Sequence, residues 1–122
     1  MRILIVDDDP LAAEMAAAIL EDLGYEGLTA ESAVEGFETL NDHPDVGLII
    51  SDMNMPLVDG VEFFRELREQ GNQTPFVLLT GDDPEAARSR EPGLDGCLLK
   101  DFSLEETLPE IVSETLKRYE KG

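Results

Sequence analysis

Short apolar runs that stop abruptly at polar residues constrain this chain more than anything else in it. Ile3-Leu4-Ile5-Val6 stops at Asp7, Leu48-Ile49-Ile50 stops at Ser51-Asp52, and Phe76-Val77-Leu78-Leu79 stops at Thr80. Runs of this length, bounded by turn signals, read as buried strands. Strands are predicted over 2–6, 46–51 and 76–79, with a shorter one over 25–29 and a last one over 94–99 that ends at Lys100. Helical segments separate them. Five strands alternating with five helices imply an α/β chain with a parallel sheet covered on both faces.

The helices announce their own starts. Asp9-Pro10 and Asp83-Pro84 each read as an N-cap followed by proline at the first helical position. Ser32-Ala33-Val34-Glu35, Asp59-Gly60-Val61-Glu62 and Ser103-Leu104-Glu105-Glu106 have the form of capping boxes. Helical spacing assigns Leu11, Met15, Ile19, Leu20 and Leu23 to the core side of the first helix, which stops at Gly24. Val34, Phe37 and Leu40 are expected inward on the second, and Val61, Phe64 and Leu67 on the third. The fourth, over 83–91, has almost no apolar stripe and should be short or mobile. The fifth should bury Leu104, Leu108, Ile111, Val112, Leu116 and Tyr119, with a kink or an irregular first turn at Pro109.

At 122 residues the chain suffices for one domain, 1–122, with a single core. A net charge of -19 argues against nucleic acid and anionic membrane surfaces, whose phosphates would be repelled. No apolar stretch approaches the roughly 18–20 residues of a membrane span, so membrane insertion is not expected. Met1-Arg2 runs straight into the first strand, leaving no room for a signal peptide. The single cysteine, Cys97, fits a reducing cytoplasm. Cys97 reads as a small core residue, His43 as a surface helix terminus, Asp9 as a cap, and Arg88 and Arg90 as a solvated face.

Four strand exits carry polar groups: Asp7-Asp8, Asp52, Thr80 and Lys100. In a parallel sheet all of them lie at one edge, where functional groups of open α/β sheets gather. Crowded carboxylates repel unless a cation joins them, and Mg²⁺ suits a small set of carboxylate oxygens. Lys100 adds a fixed positive charge and Thr80 a hydroxyl donor. Metal, ammonium and hydroxyl around one carboxylate form a cradle for a phosphoryl group in transit. Asp52 is then a nucleophile able to form an aspartyl phosphate.

These motifs resemble those of the response-regulator receiver domain, and the resemblance covers the whole chain. Asp52-Met53-Asn54-Met55-Pro56-Leu57-Val58-Asp59-Gly60 matches the family's D-x-x-M-P-x-x-D-G. Val6-Asp7-Asp8, Thr80-Gly81 and Lys100 match the elements after the first, fourth and fifth strands. The resemblance implies a flavodoxin-like, doubly wound sheet of order 2-1-3-4-5. It implies that Asp52 accepts a phosphoryl group from a histidine of a sensor kinase or phosphotransfer protein, and that a downstream protein target reads the result. It further implies that Asp8, Asp52 and the backbone carbonyl of Asn54 bind Mg²⁺, with Asp7 assisting through water. Lys100 and Thr80 would hold the phosphoryl oxygens. Such a domain is a stoichiometric acceptor with self-catalysed phosphotransfer and dephosphorylation, not an enzyme turning over a separate substrate.

The sequence departs from the family pattern at two positions. Asp101 follows the lysine where the family usually has proline, often in a cis bond. A cis bond to a non-proline residue costs about 3–4 kcal/mol, so Lys100-Asp101 is expected trans. Cys97 occupies the place of the aromatic ring that swings inward on activation. Both departures would suit a degenerate receiver that acts as a constitutive binding module. A second alternative is a small phosphatase of the haloacid-dehalogenase type with Asp7 as nucleophile, but it leaves Met55-Pro56 and Asp59-Gly60 unexplained.

Overall fold

The structure, a computed structural model, describes residues 1–101 and 103–120. Strands β1 (Arg2–Val6), β2 (Glu26–Ala30), β3 (Val46–Asp52), β4 (Phe76–Thr80) and β5 (Gly96–Leu99) form one parallel sheet of order β2-β1-β3-β4-β5. Helices α1 (Pro10–Asp22), α2 (Ala33–Asp42), α3 (Gly60–Glu69), α4 (Pro84–Arg90) and α5 (Leu104–Glu120) alternate with the strands. This is the flavodoxin-like topology implied by the sequence. Helices α1 and α5 cover one face of the sheet over Ile3, Ile5, Leu48, Ile50 and Val77. The other face packs against α2, α3 and α4 through Leu4, Ile49, Phe76 and Leu78.

The register brings the functional ends together. Val6 pairs with Ser51, Asp52 with Leu79, and Thr80 with Leu99. The exits of β1, β3, β4 and β5 therefore open side by side at one edge.

Helix α1 turns a different face inward from the one its larger residues suggested. Ala13, Ala16, Ala17 and Leu20 are buried, whereas Leu11, Met15 and Leu23 are exposed. Close approach explains this. A Cβ added at Gly27 of β2 would stand 3.1 Å from the Ala17 Cβ, so the helix lies too near the sheet for long side chains. Val34 on α2 is likewise exposed, while Ala33 and Gly36 are buried and Phe37 and Leu40 pack partly against the core. Helix α3 buries Val61, Phe64 and Leu67 as expected, and also Phe63. The rings of Phe63 and Phe64 meet Phe76 edge-on, at 5.8 and 5.2 Å between centroids.

The caps form in part as expected. Asp9 accepts from the Leu11 amide, and Asp59 and Glu62 make a complete reciprocal box. Ser32 accepts from Glu35, but the Glu35 carboxylate turns back to the Glu31 amide instead of that of Ser32. The box expected at Ser103 does not form. Its hydroxyl donates to Asp101, which also accepts from the Ser103 amide at 2.8 Å. Ser103 thereby holds the Asp101 carboxyl below its usual range. Asp101, in the family's proline position, thus organises the start of α5.

Helix α5 runs through Pro109, and its first turn is irregular, the Glu106 amide donating to the Ser103 carbonyl only three residues back. Tyr119 is exposed, contrary to expectation, because its hydroxyl donates to Asp95 at 2.8 Å. Strand β5 starts two residues later than expected. Asp95 is diverted: its carboxylate accepts from the Phe76 amide, and its own amide donates to the Phe76 carbonyl. Helix α4 is seven residues long and buries Ala87 alone, as its composition foretold. Among the described residues there is no cis peptide bond, so Lys100-Asp101 is trans. None of the described helices is long and apolar enough to cross a membrane.

Candidate functional site

Asp52 closes β3, and its backbone is fixed on every side. The following amide, Met53, donates to the Leu79 carbonyl at 2.7 Å. The buried Ser51 hydroxyl donates to the Asp52 carbonyl at 3.0 Å. Gly60, the first residue of α3, lies directly beneath: a Cβ there would come within 2.5 Å of the Asp52 carbonyl oxygen. Only glycine lets the helix start this close to the strand end.

The expected site residues converge around this point. Asp7 and Asp52 are buried, Asp8 is exposed, and one carboxylate oxygen from each lies within 4.8 Å of the others. Lys100 Nζ stands 2.8 Å from Asp7 Oδ2 and 3.2 Å from Asp52 Oδ2. Asp7 is further held by the Asp9 amide on its other oxygen. The Asn54 amide reaches Asp52 Oδ1 at a long 3.4 Å, and Asn54 itself is exposed on the loop beyond β3. Thr80 is buried at the end of β4, where its hydroxyl oxygen accepts from the Asp82 amide at 3.1 Å. That bond leaves the hydroxyl proton free to be donated.

Charge and burial pull against each other here. Burial raises the Asp52 pKa first, the Asp7 charge raises it further, and Lys100 opposes both. Burial works to lower the Lys100 pKa, but its bonds to Asp7 and Asp52 outweigh burial and raise it. The lysine therefore stays charged and supplies the counter-charge that makes two buried carboxylates tolerable. The three carboxylates fit a hard divalent cation by donor type. Carboxylate oxygens gathered within 4.8 Å of one another suit the oxygen-rich shell that such an ion takes.

The family model of the response regulator receiver domain matches residues 3–112. The chain belongs to the response-regulator receiver family. As a receiver it is 38% identical over 114 residues to the response regulator MprA of Mycobacterium avium, covering 88% of this chain and 48% of that one. It is 32% identical over 121 residues to the sensor histidine kinase RcsC of Escherichia coli, covering 98% of this chain and 12% of that one. The receiver thus spans about half of one relative and about an eighth of the other. Its fold is similar to that of the response regulator TrrA of Thermotoga maritima, solved in complex with Mg²⁺-BeF, at a TM-score of 0.83 and 30% identity, covering 93% of this chain and 97% of that one.

Other residues singled out in the sequence take quieter roles. Cys97 is half-buried against the α2–α4 face, and burial raises its thiol pKa. His43 ends α2 and its Nδ1 meets the Arg2 guanidinium at 2.8 Å, far from the site edge. Two features escaped the sequence reading. The Ser51 bond to Asp52 has no sequence signal. Leu57, on the loop after Asp52, has φ of 70° and is almost fully exposed. Nothing in a leucine announces a left-handed backbone.

Proposed function

We propose that Asp52 is the phosphoryl acceptor of this receiver, and that the observation carrying this role is its position: buried, 3.2 Å from Lys100, beside Asp7 and Asp8 at the sheet edge. The donor is a phosphohistidine of a sensor kinase or phosphotransfer protein. An Asp52 oxygen attacks phosphorus, the P–N bond breaks, and its electron pair returns to the imidazole, which takes up a proton. Asp8, Asp52 and the Asn54 carbonyl would hold Mg²⁺, with Asp7 acting through water. Bound there, the ion neutralises charge on the phosphoryl oxygens during transfer.

The chain's own residues do the rest. Lys100 shifts its bond from the two carboxylates to a phosphoryl oxygen as charge moves outward. Thr80 donates its free proton to a second oxygen while Asp82 still binds its lone pair. That contact draws the β4–α4 loop inward and alters the surface offered to a downstream protein. The domain is a stoichiometric acceptor spanning 1–122, working in a reducing cytoplasm. The complete acceptor set speaks against a merely constitutive module. Asp7 as a phosphatase nucleophile is disfavoured because the Asp9 amide at 2.9 Å and Lys100 at 2.8 Å hold its two oxygens more closely than the Asn54 amide at 3.4 Å and Lys100 at 3.2 Å hold those of Asp52.

Intact-mass measurement after exposure to Mg²⁺ and a small acyl phosphate tests the assignment. Wild type and Asp7→Ala should gain a phosphoryl group, Asp7→Ala more slowly, and Asp52→Ala should gain none. Labelling of Asp52→Ala together with loss in Asp7→Ala would reverse the roles.

A further inference from the structure

Ser51 is a fully buried hydroxyl at the end of an apolar run on β3. Side chains alternate along a strand, so Ser51 shares the sheet face of Ile49. Its paired neighbours there, Val6 of β1 and Leu78 of β4, are buried and apolar. Packing alone would favour another aliphatic residue at such a position, and a buried hydroxyl is costly unless it is bonded. The bond that Ser51 makes goes to the carbonyl of Asp52, at 3.0 Å.

That carbonyl has no rung of the sheet to join. The Met53 amide, in the same peptide unit, donates towards β4, to the Leu79 carbonyl at 2.7 Å. In a trans peptide the Asp52 carbonyl then points the opposite way, towards β1. Strand β1 pairs with β3 only as far as Val6 and Ser51. Among the described residues no turn or loop amide donates to the Asp52 carbonyl, and the Ser51 hydroxyl stands in for the missing rung. The Asp52–Met53 peptide is thereby held at both ends. Its plane decides where the Asp52 carboxylate sits and in which direction the loop carrying Asn54 departs. We propose that Ser51 is a positioning residue of the acceptor site, whose hydroxyl keeps the Asp52 carboxylate and the Asn54 carbonyl aimed at one divalent cation. Ser51 touches neither the cation nor the phosphoryl group and acts through the Asp52 backbone alone.

This inference rests on the reading of Asp52 as acceptor beside a Mg²⁺ site, and its test separates the two. Calorimetry on the full chain reads Mg²⁺ affinity, phosphoramidate at saturating Mg²⁺ reads phosphorylation, and melting in chelator reads the fold alone. Ser51→Ala should bind Mg²⁺ about tenfold more weakly and take up phosphate about tenfold more slowly. Ser51→Thr restores a hydroxyl and should stay within about twofold of wild type in both. Ile50→Val trims the adjacent buried side chain on the opposite face of β3. It should lower the melting temperature yet leave Mg²⁺ affinity within about twofold of wild type. Should Ser51→Ala not fold, Ser51→Cys carries the same test, since it fills the space with only a weak donor. Wild-type affinity and rate in Ser51→Ala overturn the proposal. So does an equal loss in Ser51→Thr or in Ile50→Val, either of which would make Ser51 a packing residue. Wild type that binds no Mg²⁺, or Asp52→Asn that still takes up phosphate, overturns the reading of the site instead.

Discussion

The amide of Lys100 donates to the carbonyl of Thr80 across 2.7 Å. The lysine and the threonine that flank the acceptor thus leave adjacent strands as a hydrogen-bonded pair. A shift of the Thr80 backbone is felt at Lys100, and through its ammonium at Asp7 and Asp52.

Lys100→Met should remove that counter-charge and leave Asp7 and Asp52 facing each other. We expect a loss of about 1–3 kcal/mol of stability at neutral pH without Mg²⁺. The loss should shrink as the pH falls and the carboxylates protonate. Chemical denaturation at pH 7 and pH 4 checks both, and phosphorylation of this variant should be at least about tenfold slower.

Asp52 gives a pH dependence of defined sign. Its folded pKa is raised, so the folded state holds the proton more tightly than the unfolded chain does. Its contribution to stability is present below the ordinary carboxylate pKa of about 3.9 and is lost as the pH rises through the folded pKa. Asp52→Asn should therefore raise the melting temperature of the metal-free protein at pH 7 by on the order of a few degrees. That gain should disappear near pH 4. Thermal melts across this range with chelator present measure it.

Mg²⁺ should raise the melting temperature of wild type at neutral pH, because it binds the folded site and not the unfolded chain. Asp8→Asn should weaken that response while leaving the metal-free protein as stable or more so, since Asp8 is the exposed member of the trio. Unchanged melting with Mg²⁺, and no heat of binding by calorimetry, would remove the proposed metal site.

Signal output should run through Thr80 and α4. Helix α4 buries only Ala87, so little apolar burial holds it in place. A stable phosphoryl mimic should change amide exchange chiefly across 80–92, with smaller effects near Cys97. Thr80→Ala should abolish most of the change while Asp52 still accepts phosphate, and Cys97→Ser should alter it little. A thiol cannot fill the space an aromatic ring would bury. The opposite pattern in the two variants would show that the signal leaves by another route.

The site was legible because its residues sit at strand exits, and a parallel sheet leaves no freedom over where those exits point. That brings Asp7, Asp8, Asp52, Thr80 and Lys100 to one edge, while the roles proposed for them rest on the family resemblance. The α1 face was misread because weight was given to large residues. At the Ala17–Gly27 contact, small size decides which face turns inward. The start of α5 was misread because Ser103 had two partners on offer, and Asp101 is nearer in the chain than Glu106. The turn at Leu57 could not be read, because backbone dihedrals leave no trace in a residue without a preference for them.

The most direct test of the central claim is to trap the acceptor chemically. The wild-type chain is phosphorylated with Mg²⁺ and a small donor, reduced with borohydride, and mapped by peptide mass spectrometry. Reduction turns an aspartyl phosphate into homoserine at the residue that carried it. The account predicts homoserine at position 52 alone, and none when Mg²⁺ is withheld. Homoserine at position 7, or a phosphoryl group that resists reduction because it sits on His43, would contradict it.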